Sequence, residues 1–400
     1  MFWTLAAGMF VNRLASFVVA FLALYLVRER GFGTAEAGQV VALYGAGLFV
    51  AGPVGGTLAD LVGRRATMLL SLSSGAVIVG TIGFLRSPAW LAVFAFLSAA
   101  MNELYRPAMN AAIADVVPPQ DRARAWGIAY WAANLGWSFG LALGGILAEA
   151  SFVALFLADA GTSLAFAAVI ALRVPETRPA RVQVHSPLAG LAAVLRDGHF
   201  VTFLLLHLCA LVVFVQFQLA LPIDMGRHGV RPILFAALLS LNGIGIVVLQ
   251  PLSTMFVQVR DGARFLAAAA VLIGLGYGVN ALAGVLPPVP VYLAGVVLWT
   301  VGEVAQSPVA ATVVADLAPA GLRGRYQGAF SMSWGIAFTL APLAGGAVLD
   351  RFGGAALWLG CLGAGIAVAL GHLAAGGPRR RRLAADAARG AVPHGAARLN

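Results

Sequence analysis

The sequence predicts an all-α polytopic membrane protein, in which twelve transmembrane helices form two pseudo-symmetric six-helix bundles. Composition, the length of the apolar runs and an internal repeat lead to this fold class. Of the 400 residues, 60% are hydrophobic and 10% are charged, and the mean hydropathy is +0.90. Soluble domains carry about 25% charged residues. The chain is therefore expected to consist mainly of helices that span a bilayer.

Apolar runs of about 20 residues or more have the length that a helix needs to cross a bilayer. In the first half of the chain they lie at 2–27, 35–61, 66–86, 89–116, 123–149 and 151–173. In the second half they lie at 199–225, 232–258, 264–284, 290–317, 324–349 and 353–375. We expect an N-terminal bundle at 1–173, a cytoplasmic linker at 174–198, a C-terminal bundle at 199–375 and a basic, disordered tail at 376–400.

An internal repeat relates the two halves at a constant offset of 201 positions. The first copy contains Pro107, Asp115, Arg122, Arg124, Gly127, Gly144, Gly145 and Glu149. The second copy contains Pro308, Asp316, Arg323, Arg325, Gly328, Gly345, Gly346 and Asp350. Chance similarity between apolar segments would not hold one offset across polar positions. Two parallel halves with a site between them are typical of transporters.

The net charge of +10 arises from arginines, which account for all 26 basic residues. With both termini inside, eighteen arginines fall in cytoplasmic segments and six in outer segments. Positive charge accumulates on the cytoplasmic side of a membrane. We therefore expect a multi-pass protein of the cell membrane with both termini in the cytoplasm. We expect the lipid bilayer to be a partner of the protein, and we do not expect the positive charge to bind nucleic acid.

The loop between the second and third spans carries the motif Gly56-Thr57-Leu58-Ala59-Asp60-Leu61-Val62-Gly63-Arg64-Arg65. It resembles the G-x-L-a-D-r-x-G-r-r signature of the major facilitator superfamily, which usually has a basic residue at the place of Leu61. The resemblance implies the fold of that superfamily and a gate formed by Gly56, Asp60, Gly63, Arg64, Arg65 and Asp115. In that gate Asp60 would face the start of the eleventh span near Arg323, and Arg64 would pair with Asp115. These contacts would lock the inner gate while the transporter opens outward. Alternatively, the residues only cap helices and set topology.

The fifth span contains a row of glycines at Gly127, Gly136, Gly140, Gly144 and Gly145. It resembles the antiporter motif of the same superfamily, with Leu141 in place of the usual proline. The resemblance implies efflux. The alternative is that the glycines only form a flat face for tight helix packing.

Four charged residues are expected to lie deep in the membrane, namely Arg13, Glu103, Arg106 and Glu303, and they are the candidates for proton coupling. Intramembrane charge usually marks a pathway or a buried pair. Glu103 and Arg106 are three residues apart on one helix and can meet, either to steer protons or as a structural ion pair. Glu303 has no basic residue a helical turn away, so it is the first candidate for proton coupling and Glu103 the second.

Polar and aromatic residues of the spans are candidates for lining a substrate cavity or, alternatively, for packing. They are Tyr25, Tyr130, Asn134, Phe214, Gln218, Asn242 and Trp334. Cys209 and Cys361 form no metal-binding pattern, and no metal or other cofactor is expected. The sequence shows no nucleophile–base arrangement and no phosphate-binding loop, so an enzyme is not expected.

The resemblance covers about residues 1–375 and implies a monomeric, proton-coupled exporter of small apolar or amphipathic compounds, of the multidrug type, that works by alternating access. A first alternative is a proton-coupled importer of a nutrient such as a sugar or organic acid, which would need a polar cavity. A second alternative is a membrane receptor or scaffold that transports nothing, which would need an added signalling domain.

Overall fold

The computed structural model describes residues 1–118, 121–177, 194–257, 262–319 and 322–390, and within these ranges it contains helices and no strand. In the N-terminal half the helices are Phe2–Arg13, Val18–Arg28, Thr34–Leu61, Arg64–Ile82, Pro88–Glu103, Tyr105–Val116, Arg122–Ala150 and Phe152–Arg173. In the C-terminal half they are Gly198–Phe214, Ala220–Arg227, Pro232–Val257, Gly262–Gly278, Pro288–Leu317 and Arg323–Gly390, with 3-10 helices at Val215–Gln218 and Val279–Gly284.

These helices make the predicted number of crossings. Nine helices in the described ranges are long and apolar enough to span a bilayer. Three further crossings bring the number to twelve, because the first and fourth spans are each split into two short helices and the eleventh and twelfth are joined. The joint is a kink at Gly353, whose φ of +80° is a conformation that favours glycine. The predicted all-α architecture is confirmed.

The first span is interrupted between Arg13 and Val18. Asp159 Oδ2 accepts a hydrogen bond of 3.1 Å from Phe17 N, which lies at the start of the second piece. On the other side of the break, Asn12 Nδ2 donates to Ser163 Oγ at 3.0 Å. Two polar residues of the sixth span therefore satisfy groups around the break, which a buried interruption requires.

The fourth span is interrupted at Leu104 in a similar way. The hydroxyl of Ser71 donates to Met101 O and accepts from Tyr105 N at 2.9 Å. It therefore replaces part of the backbone ladder at the break. The seventh span has its own interruption, where the 3-10 helix begins at Val215, 201 positions after Leu14. The offset equals that of the sequence repeat.

The tail differs from expectation. The last helix continues to Gly390 and does not end near residue 375. Ala and Arg, which dominate this segment, are strong helix formers, and Arg382 forms an ion pair with Asp197 that docks the helix onto the C-terminal half. Residues 391–400, and residues 178–193 of the predicted linker, lie outside the described ranges.

The two halves meet at one end of the bundle. We call the end with Val62 and Gly63 the linker end, and the end with Gly31 and Ser151 the far end. Toward the far end a single apolar core contains residues of both halves, and Phe21 and Phe235 have ring centroids 6.1 Å apart. The other described clusters each lie within one half, one in the N-terminal half and two in the C-terminal half.

Glycines produce the close approach at the far end. A Cβ atom at Gly38 would lie 2.6 Å from Pro342 O, and one at Gly145 would lie 2.5 Å from Ala236 Cβ. The helix pairs Thr34–Leu61 with Arg323–Gly390, and Arg122–Ala150 with Pro232–Val257, form this interface. Nearer the linker end, none of the described apolar clusters contains residues of both halves. The described packing therefore joins the halves toward the far end and leaves them parted at the linker end.

Candidate functional site

Arg64 is the centre of the motif between the second and third spans. Gly63 precedes it with φ of +120°, a backbone conformation that favours glycine. The Arg64 guanidinium forms ion pairs with Asp60 (Nη1–Oδ1, 3.0 Å) and Asp115 (Nε–Oδ2, 3.3 Å), and Nη1 donates to Ala59 O at 2.7 Å. Arg64 is only 6% exposed. One buried cation thus connects the linker-end termini of three spans.

The expected contact between Arg64 and Asp115 is present, and its role in gating stays a prediction. Asp60 is paired within its own half, with Arg64. The side chain of Arg323, which the resemblance places opposite Asp60, lies outside the described residues. The separation of the halves at this end agrees with a conformation that is open at the linker end.

Glu176 is a part of this site that the sequence did not indicate. Its Oε1 accepts from Arg64 N at 2.8 Å and its Oε2 from Arg65 N at 3.2 Å. The carboxylate therefore lies at the N-terminus of helix Arg64–Ile82, where negative charge is favourable. Thr177 Oγ1 also donates to Asp115 Oδ2 at 3.2 Å. An acid that follows the sixth span was the available signal, but its partner lies 112 positions earlier in the chain.

Three charged residues of the N-terminal half form one network. Glu103 accepts from Arg106 Nη1 at 2.9 Å, as its spacing predicts, and also from Arg13 Nη2 at 3.1 Å. The second contact was not predicted. Arg13 ends the first piece of the first span, and Glu103 ends the first piece of the fourth, so both helix breaks meet at this network.

The side chain of Arg106 is 58% exposed although the residue lies within a span. Because a charge that faces hydrocarbon is costly, this arginine is expected to face water between the halves. Beside Arg13 and Glu103, a cavity of about 20 Å³ is lined by Asn12, Ser16, Tyr44 and Asp159 among others. A polar cavity of this size holds one water molecule.

Glu303 occupies the C-terminal half with different partners. Asn242 Nδ2 donates to Glu303 Oε2 at 2.9 Å and to Thr300 Oγ1 at 3.0 Å. None of the ion pairs found in the described ranges includes Glu303. At the repeat offset of 201, its counterpart in the first half is Asn102. At these related places the N-terminal half has an ionic network, and the C-terminal half has an acid that is hydrogen-bonded to an amide.

The glycines of the fifth span pack against the broken first span. A Cβ atom at Gly136 would lie 2.7 Å from Phe10 O, one at Gly140 would lie 2.6 Å from Leu14 O, and one at Gly144 would lie 2.7 Å from Phe17. Gly145 faces the other half, and the surroundings of Gly127 lie outside the described residues. This arrangement agrees with the packing interpretation and leaves the direction of transport untested.

The cavity candidates separate into two groups. Tyr25 and Gln218 are each 1% exposed, and Tyr25 donates to Ile82 O at 3.0 Å, so both are packed in this conformation. Phe214 and Trp334 form an edge-to-face pair with centroids 5.9 Å apart. Trp334 remains exposed, and Asn134 is half-buried. The side chain of Tyr130 lies outside the described residues.

Two arginines cross between the halves at the far end. Arg231 forms an ion pair with Glu149, with 3.0 Å between Nε and Oε1. Arg227 Nη2 donates to Thr34 Oγ1 at 2.7 Å, and its Nη1 donates to Leu349 O at 3.1 Å. We call these contacts the far-end lock. Sequence reasoning missed the lock because its residues are dispersed among loops and helix ends.

The protein has two membrane-spanning halves that are joined at one end and parted at the other, with charged residues between them. This arrangement is typical of a transport protein. A sequence profile described as the Major Facilitator Superfamily matches residues 5–342 and 217–395. The chain belongs to the major facilitator superfamily of transporters, as the motif between the second and third spans indicated.

Three known proteins are similar to this chain in sequence or in fold. An uncharacterized MFS-type transporter of Bacillus subtilis (strain 168), YttB, is 29% identical over 365 residues, which cover 90% of each chain. The multidrug resistance protein MdtH of Aeromonas salmonicida is 26% identical over 354 residues, 87% of each chain. The crystal structure of the nucleoside transporter NupG superposes with a TM-score of 0.83 at 13% identity, and covers 94% of this chain and 99% of that one. This likeness confirms the fold.

Proposed function

We propose that the protein is a proton-coupled exporter of small apolar or amphipathic compounds, and that Glu303 carries the coupled proton. The observation that carries the proposal is the environment of Glu303, an acid within a span whose described hydrogen-bond partner is the amide of Asn242. A carboxylate in such a place is costly to keep ionised without a cation. Glu303 is therefore suited to take up a proton in one state and release it in another.

Alternating access supplies the cycle. In the described state the far-end lock is closed and Asp60 is held by Arg64 within its own half. In the opposite state the lock opens, and Asp60 faces the start of the eleventh span. A carboxylate at a helix N-terminus contributes about 0.3–1 kcal/mol, which is enough to bias two states without freezing one of them.

Protonation couples to this exchange by linkage. If Glu303 binds its proton more tightly in one state, protonation favours that state by the same free energy. With both termini in the cytoplasm of a cell-membrane protein, the linker end faces inward and the far end faces the acidic side. A monomer is sufficient, because both halves of the site belong to one chain.

Export of apolar compounds is supported by the aromatic pair Phe214–Trp334 and by the contacts of Phe214 with Phe217 and Trp299. The similarity to a multidrug resistance protein points in the same direction. A growth-inhibition panel that compares cells with and without the protein would identify the compound class.

The test of the coupling role is the Glu303→Gln variant in proteoliposomes with an imposed pH gradient. Gln mimics the protonated acid and cannot release a proton, so we expect the variant to bind and exchange substrate but to lose uphill export. Glu29→Gln, a change of the same kind on the exposed surface at the far end, is the control and should behave as the unmodified protein. A Glu303→Gln variant that still responds to the pH gradient would move the proton site elsewhere.

An importer of an organic acid is the second candidate, because Arg106 presents a guanidinium that is 58% exposed. Such a cation would attract a carboxylate substrate. Arg106→Gln distinguishes the two candidates: it should abolish uptake of an organic acid but leave export of an uncharged compound measurable.

A further inference from the structure

The polar cavity at the break of the first span is rich in oxygen atoms. Side chains from the first, second, fourth and sixth spans line it. Its neutral oxygen atoms include those of Asn12, Ser16, Tyr44 and Ser163. Glu103 and Asp159 add carboxylates to the same lining. Its volume of about 20 Å³ accepts one occupant of the size of a water molecule.

The charged side chains of this lining do not balance. Two carboxylates, of Glu103 and Asp159, face one cation, Arg13. Arg13 is paired with Glu103, and none of the ion pairs found in the described ranges includes Asp159. Arg106 also contacts Glu103, but its side chain is 58% exposed, so water screens its charge from the cavity. With both acids ionised, the buried lining carries one excess negative charge.

The helix ends at the break leave this excess in place. Helix Phe2–Arg13 ends there and helix Val18–Arg28 begins there, so partial charges of opposite sign meet and offset each other. Asp159 is 4% exposed, and its described donor is the neutral N–H group of Phe17. A carboxylate buried within a span is costly to keep ionised without a full counter-charge.

Tyr44 is a second, independent observation at this cavity. The residue lines the cavity and is 5% exposed. Its hydroxyl makes no hydrogen bond with the part of the chain that the structure describes. Buried tyrosine hydroxyls normally have a polar partner. A ligand between Tyr44 and Asp159 would serve both groups.

We propose that this cavity binds one Na⁺ ion, with the carboxylate of Asp159 as the charged ligand and the hydroxyl of Tyr44 as a neutral one. A single positive charge balances the lining, whereas a divalent ion would leave a buried positive charge. Carboxylate, hydroxyl and amide oxygen atoms are the ligands of hard cations. A water molecule fits the same space but leaves Asp159 without a counter-charge. The bound ion ties the interrupted first span to the second and sixth spans.

The test is the binding of radiolabelled Na⁺ to the full chain in detergent, with choline chloride holding the ionic strength constant. Choline carries the same charge but is too large for the cavity. We expect one Na⁺ per chain and a Tm that rises with the Na⁺ concentration, because an ion that binds only the folded state stabilises it. Asp159→Asn should abolish the binding. Asp350→Asn, the same change on the exposed surface at the far end, should leave it unchanged.

A second variant protects the test against misfolding. Tyr44→Phe keeps the ring and breaks no hydrogen bond within the described ranges. It should weaken Na⁺ binding about two- to ten-fold, the effect of one neutral polar contact.

Equal Tm values in NaCl and choline chloride, equal binding by the Asp159→Asn and Asp350→Asn variants, or full affinity in Tyr44→Phe would each overturn the proposal. A Tm that responds to pH but not to Na⁺ would overturn it in favour of a proton on Asp159. These readouts involve neither transport nor Glu303, so they stand apart from the proposed export.

Discussion

Arg64 joins three helix ends through a single side chain, and the motif predicts that it is part of a gate. Its guanidinium contacts Asp60 and Asp115, and its backbone N–H donates to Glu176. A buried cation with two acidic partners is expected to depend on both of them. The consequence is a set of measurable couplings.

The first prediction is that Arg64 and Asp115 act as a pair. In a double-mutant cycle with Arg64→Gln and Asp115→Asn, the transport rates should show a coupling of about 0.5–3 kcal/mol, because the groups are in contact. Arg65→Gln with Asp115→Asn is the matched control, since Arg65 Nη2 donates instead to Ala171 O at 2.7 Å. Strictly additive losses in the first cycle would mean that Arg64 and Asp115 do not work together.

The second prediction concerns Asp60. Asp60→Asn keeps the size of the side chain and removes its charge, so membrane insertion should be unchanged. Transport should fall about two- to five-fold, which corresponds to the loss of 0.3–1 kcal/mol from one state of the gate. Normal transport by a well-expressed variant would contradict a gating role and leave Asp60 as a helix-end residue.

For single residues, two kinds of contact could be predicted from the sequence. One joins residues a helical turn apart, and the other joins residues that a known motif pairs. Glu103–Arg106 belongs to the first kind and Arg64–Asp115 to the second. Arg13–Glu103 and Glu176 with Arg64 lay beyond reach, because 90 and 112 positions separate the partners. No local periodicity reports which helices become neighbours.

Asp197 shows how one side chain can hold several elements. Its Oδ1 caps helix Gly198–Phe214, accepting from His199 N and Phe200 N at 3.1 Å, and its Oδ2 accepts from Tyr326 Oη at 2.7 Å. Arg382 completes the group with an ion pair. Burial alone would raise the pKa of Asp197, but the hydrogen bonds from Arg382, Tyr326 and Phe200 outweigh it and hold the pKa below its usual value.

The third prediction follows from the sign of that shift. A carboxyl group with a depressed pKa stabilises the fold above its unfolded-state pKa of about 3.9, and the stabilisation is lost as the pH falls through the folded-state value. Asp197→Asn should therefore reduce the free energy of unfolding at pH 7 by up to about 1 kcal/mol, which would appear as a lower Tm. The difference from the unmodified protein should shrink below about pH 4, as thermal denaturation at both pH values would show. A difference that does not vary with pH would exclude the ionic role.

The ends of helices could be predicted where the hydropathy of the sequence changes. They could not be predicted where a helix is interrupted inside an apolar run. The interruptions after Arg13 and at Leu104 lie in segments that remain apolar on both sides. Their causes are distant polar groups, Asp159 and Ser71, that satisfy the freed backbone. The last helix was longer than predicted because its docking through Arg382 is likewise a long-range contact.

Across the whole molecule, the far-end lock and the glycine contacts hold the two halves together on one side. Arg231 and Glu149 lie at the surface, where an ion pair contributes about 0.2–1 kcal/mol. That amount is small against the fold but significant for a balance between two conformations. The twofold sequence repeat predicted the two halves, but it carries no information about which end is closed.

The fourth prediction tests the lock by charge reversal. Glu149→Arg alone should place two cations together and shift the population toward a state open at the far end, and Arg231→Glu added to it should restore closure. Spin labels at Phe84→Cys and Leu286→Cys, both exposed at the far end, would report the distance between the halves. Cys209 and Cys361 would be replaced by alanine beforehand. Equal distances in the single and double variants would show that the pair does not control the opening.

The partner of Asp197 lies 185 residues further along the chain. Because a protein is made from its N-terminus onward, the ribosome finishes the entire C-terminal bundle before Arg382 emerges. During that time Asp197 caps the seventh span without its cation. The hydrogen bond between Asp197 and Tyr326 of the eleventh span is then not yet linked to the last helix through Arg382. The order of synthesis therefore makes this contact one of the last to form, and a chain that stops before Arg382 would insert every span yet never complete this end of its second half.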